Sequence, residues 1–229
     1  EAAADAKPVD EGKVTAALTI VTDLAGDPNI DFTKQDRERM TPLNRASSGT
    51  TIIGIINSVH LGNDSKARST LITALPQKVR GRGGPNPITK ALSAGLGDDK
   101  KEESRDKLIG KTKELIEHGL KLPLSAVNVL ISKDRLASFE ESLKKHPLDK
   151  TTLNHALTYA IYTNKASSIE ILLNLGADPN SKYQKDKKIP DSAIADEHTH
   201  TNDRALHLVI RKLRANQLRE TSEKWPSEI

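Results

Sequence analysis

The chain has 229 residues, of which 29% are charged and only 3% aromatic, and its 35 basic against 31 acidic side chains leave a net charge of +4. With no cysteine, disulfides and thiolate metal sites are excluded, and no apolar run approaches the ~20 residues that span a bilayer. A core drawn from Leu, Ile, Val and Ala suits closely stacked helices, and a mild basic excess on a mixed surface is not in itself a nucleic-acid signature.

Taken in order, residues 1–12 read as a linker or disordered start. Glu1–Asp5 has no basic segment ahead of an apolar core, so no secretion leader is expected, and the absent initiator Met fits a trimmed chain. Residues 13–29 predict a helix with the stripe Val14, Leu18, Val21 and Leu24, closed by a turn at Gly26–Asn29. Residues 36–63 predict a helix pair whose second arm carries Ile52, Ile53, Ile55 and Ile56. The stretch 64–84 is an insertion in which Ser69–Ala74 could open another helix, cut short by Pro76. Residues 85–121 predict a further pair, with an insertion near 96–107 and a lengthened second helix. Asp99 with Glu102 is its expected cap, and Leu108, Ile109, Leu115 and Ile116 its stripe as far as Gly119. Two shorter helices, Leu124–Ile131 and Leu136–Lys145, fill 122–149. Residues 150–180 carry the pattern most fully, a polar insertion covers 181–202, a last helix is expected near 203–222, and 223–229 form a tail.

Two motifs recur along this series. Thr41-Pro42-Leu43-Asn44-Arg45-Ala46 returns as Asn86-Pro87-Ile88-Thr89-Lys90-Ala91, as Thr151-Thr152-Leu153-Asn154-His155-Ala156 and as Arg204-Ala205-Leu206-His207-Leu208-Val209. Ala25-Gly26-Asp27-Pro28-Asn29 returns as Gly176-Ala177-Asp178-Pro179-Asn180, preceded by Ile169, Leu172 and Leu173 at helical spacing. Pro fits the first turn of a helix because its missing N–H has no partner there, and Gly176 can end a helix with a positive φ. Together these resemble the T-P-L-H-x-A opening and the L-L-x-x-G-A-D-x-N close of an ankyrin repeat. The resemblance implies an all-α, ankyrin-like helical repeat solenoid of about five to six repeats over 13–222, with irregular insertions. More loosely, divergent lysine-rich arrays of this kind are similar to those in effectors that intracellular bacteria deliver into host cells, which would place the chain in the host cytoplasm.

Motifs that suggest chemistry have plainer readings. Gly110-Lys111-Thr112 lacks the first glycine of a phosphate-binding loop, its place being taken by Arg105, and lies within a helical pattern. His198, His200 and His207 with Glu197 and Asp203 lack metalloprotease spacing, and structural or solvated roles are expected for them. Arg80-Gly81-Arg82-Gly83-Gly84 has no interleaved aromatics and reads as a flexible loop. Asn63-Asp64-Ser65 is a formal glycosylation sequon in a chain expected to be cytoplasmic. No metal, no cofactor and no catalytic group is expected.

The resemblance implies binding on the concave face made by the first helix of each repeat. The residues it projects there are Arg37, Arg39 and Arg45, then Lys90 and Ser93, then His155, Thr158 and Tyr159, and finally Arg211. Ala46, Ala91 and Ala156, each next to an outward residue, are expected to be buried between repeats. Such a row suits an acidic, partly apolar protein surface, and the expected state is a monomer. Two other functions compete: a nucleic-acid or anionic-membrane binder using the C-terminal basic residues, and an enzyme with its catalytic groups in 64–108.

Overall fold

The computed structural model of the chain describes residue 27 and residues 31–38, 40–46, 48–58, 66–77 and 85–181. Among the described residues every regular element is helical and none is a strand. The chain divides into two compact units, Glu1–Leu122 and Pro123–Ile229, where the sequence pattern ran as one array. The helices expected over 13–29 and 203–222, and the 181–202 insertion beyond its first residue, lie outside the described residues.

In the first unit the described helices are α1 (Pro42–Arg45), α2 (Gly49–Ser58), α3 (Lys66–Ala74), α4 (Pro87–Gly95) and α5 (Glu102–Glu117). The two motif openings cap their helices alike. The Thr41 side chain accepts the Asn44 N–H at 3.2 Å, and Asn86 Oδ1 accepts the Thr89 N–H at 2.9 Å, with Pro42 and Pro87 in the first turn. They then differ. α1 stops after a single turn, Ala46 leaving the helix at ψ 106°, and the Ser48 hydroxyl takes the Thr51 N–H at the start of α2.

Helix α2 packs against α4 and α5, and two glycines set how closely. A Cβ at Gly49 would collide with the Ala94 side chain and stand 2.8 Å from the Lys90 carbonyl oxygen. A Cβ at Gly95 would collide with Leu108 and stand 2.9 Å from Ile53. Around this seam Ile52, Ile56, Ile88, Leu92, Leu108, Leu115 and Ile116 are buried. The stripe expected along α5 is the one observed, but its expected cap is not. Lys101 occupies the N-cap without a side-chain hydrogen bond, and Asp99 pairs with Lys100 at 2.9 Å. Glu102 and Glu103 sit inside the first turn, where the helix dipole favours a negative charge.

The second unit contains α6 (Leu124–Ser132), a 3₁₀ turn (Leu136–Phe139) running into α7 (Glu140–Lys145), α8 (Lys150–Tyr162) and α9 (Ala166–Asn174). These are two helix–turn–helix hairpins. The first arms, α6 and α8, pack together; the 3₁₀ turn of the first hairpin packs on α9; and within the second hairpin α8 packs on α9. The hairpins turn identically. Asp134 and Asn164 adopt positive φ, 53° and 57°, at a spacing of 30 residues (134 to 164). Each closes the same pair of backbone bonds: Asp134 N–H to Ile131 O and Arg135 N–H to Leu130 O, then Asn164 N–H to Ile161 O and Lys165 N–H to Ala160 O. The Lys165 ammonium meets the Asp134 carboxylate at 2.6 Å, joining one turn to the next. The buried residues match at the same offset, Ala126, Val127, Leu130 and Ile131 against Ala156, Leu157, Ala160 and Ile161.

Helix α9 ends as its sequence implies, on Gly176 at φ 93°, with the Ala177 and Gly176 N–H groups bonded to Leu172 O and Leu173 O. Its stripe is shifted by one position. Ile171 and Leu172 are buried, while Leu173 is 42% exposed.

Candidate functional site

The motif register places most of the expected outward residues at the surface of their own unit. In the first unit Arg37 lies exposed in a turn and Arg45, the last residue of α1, is exposed. On α4 Lys90 is half-buried and Ser93 exposed. In the second unit His155 and Tyr159 are half-buried on α8. Arg39 and Arg211 lie outside the described residues, as do the His198–His207 cluster, Arg80–Gly84 and Asn63–Ser65.

Thr158 requires a correction. It is 2% exposed, and its hydroxyl donates to the Asn154 carbonyl one turn back at 3.1 Å, so it faces no partner. Ala46 requires another, because it is half-buried in the chain after α1, whereas Ala91 and Ala156 are fully buried. The early end of α1 removes Ala46 from the helical register that holds the other two.

Arg45 is the most constrained of the cationic positions. Its Nε reaches Asp36 Oδ2 at 2.7 Å and a terminal nitrogen reaches Glu38 at 2.9 Å. Asp36 also accepts the backbone N–H groups of Glu38 at 2.8 Å and Met40 at 3.0 Å, so one carboxylate organises the loop from 36 to 40. The Met40 N–H and the Arg45 guanidinium hold the Asp36 carboxyl below its usual range, and Asp36 raises Arg45 in return. A guanidinium already neutralised by two carboxylates is a poor attractor for a third.

Asn154 serves the loop that closes its own hairpin. Its Oδ1 accepts the Asp178 N–H at 2.8 Å, tying the Gly176–Asn180 turn to the second turn of α8. The equivalent residue of the second motif, Thr89, bonds its own cap, Asn86, at 2.6 Å.

No phosphate loop is built at Gly110. Helix α5 runs through it, and Thr112 is buried with its hydroxyl bonded to Leu108 O at 2.7 Å. Among the described residues no three His, Cys, Asp or Glu side chains are placed to hold a metal ion. The other displaced titrations belong to surface ion pairs and caps. Glu141 and Glu140 raise Lys144, and hydrogen bonds from Thr152 lower Asp149. No helix among the described residues is long and apolar enough to cross a membrane.

The sequence motifs pass over α6, whose outward positions are Ser125 and Ser132, exposed, with Asn128 and Val129 half-buried. Nothing in Leu124–Ser132 resembles T-P-L-H-x-A. The signal that finds it is the 30-residue offset to α8, which aligns Ser125 with His155 and Val129 with Tyr159. Comparison of the chain with family models, with curated proteins and with solved structures gives no match in any of the three.

Proposed function

We propose that this chain is a non-enzymatic protein-binding module of the ankyrin-like helical repeat class. It takes a partner protein on the outward positions of the first helix of each hairpin. The observation that carries this reading is the pair of hairpins in the second unit. They share a turn geometry, a buried set and an offset of 30 residues (134 to 164), and they stack first arm on first arm. A surface built by stacking presents side chains at fixed spacing and costs little ordering on binding. In the second unit the contact residues offered are His155 and Tyr159; in the first, taken by itself, they are Lys90 and Ser93 on α4 and Arg37 in the turn ahead of α1.

The test is a pull-down from cell extract with the wild-type chain and with a Lys90→Ala, His155→Ala, Tyr159→Ala variant of unchanged helical content. The expected result is a discrete protein retained by the first and lost from the second, over a salt series that leaves retention largely intact. Retention that collapses between low and moderate salt, together with nucleic acid in the eluate, would replace this reading with phosphate binding.

A further inference from the structure

We draw no further inference here: the strongest candidate, the apolar surface patch on α9 made by half-buried Ile169 and exposed Leu173, carries none because nothing in the structure shows what covers it.

Discussion

Gly110 and Gly176 are both exposed, and a Cβ at either would meet nothing within 4 Å, yet substitution should act in opposite directions. Gly110 lies inside α5 with a helical backbone, so Gly110→Ala restricts only the unfolded chain and should stabilise by about 0.4–1 kcal/mol. Gly176 holds φ 93°, which a side chain resists, so Gly176→Ala should cost about 1–2 kcal/mol and Gly176→Val more. Urea denaturation of the two variants decides it, and equal effects of the same sign would contradict the turn geometry. The motif made Gly176 legible, because glycine before Ala-Asp-Pro-Asn announces a left-handed helix end. Asp134 and Asn164 take positive φ without glycine, which Asp and Asn tolerate better than other side chains, but no recurring motif singles them out. Leu172 and Leu173 show the same limit. Helical spacing admits both to the stripe, but only Leu172 is buried, at 0% exposure against 42%. Leu172→Ala should therefore cost about 2–5 kcal/mol, and Leu173→Ala well under the lower figure.

At the scale of the element, ends were harder to read than interiors. Leu108, Ile109, Leu115 and Ile116 are buried as their periodicity implies, while the Asp99–Glu102 spacing suggests a cap that the chain does not use. For α8 the effective cap is Asp149, two residues ahead of the motif's first threonine. Its carboxylate accepts the Thr152 N–H at 2.9 Å and the Thr152 hydroxyl at 2.7 Å. Those bonds lower the Asp149 pKa from 3.8, the side-chain bond contributing most. A lowered carboxyl contributes stability that is present above its unfolded pKa and is lost as pH falls through the folded value. Asp149→Ala should cost about 0.5–2 kcal/mol at neutral pH. Asp149→Asn should keep most of the cap but remove its share of the acid sensitivity below about pH 4, seen as a flatter dependence of the melting temperature on pH. The α2–α4–α5 seam was illegible for a different reason: Gly49 and Gly95 are unremarkable in sequence, and their need for zero side chain arises only where α4 and Leu108 press on them. Gly95→Val should destabilise by about 1–3 kcal/mol through overpacking, measured by thermal unfolding, and a neutral result would place the helices further apart.

For the molecule as a whole, the all-helical class implied by the repeat resemblance holds among the described residues, and the two helices expected in 122–149 fell within a residue of the observed limits because Leu and Ile recur there at helical spacing. The candidate surface was legible where a motif anchored the register, as at Lys90 and His155. It failed at Thr158, since coverage at the border of an outward arc depends on neighbouring chain rather than on the helix's own pattern. The division after Leu122 was invisible because no glycine-rich or polar linker marks it; Lys121-Leu122-Pro123 reads as an ordinary join between helices. Its consequence is testable. The second unit has its own buried set, with Val127, Leu130, Phe139, Leu143, Leu157 and Leu172 all at or below 1% exposure, and within Pro123–Ile229 α6 packs on α8 and α8 on α9. A unit whose helices pack on one another around such a set should hold them without the rest of the chain. Pro123–Ile229 expressed alone should give a helical circular dichroism spectrum and a single cooperative urea transition that Leu172→Ala shifts to lower denaturant. A fragment with a random-coil spectrum would show that its core depends on the first unit and that the two are one folding unit.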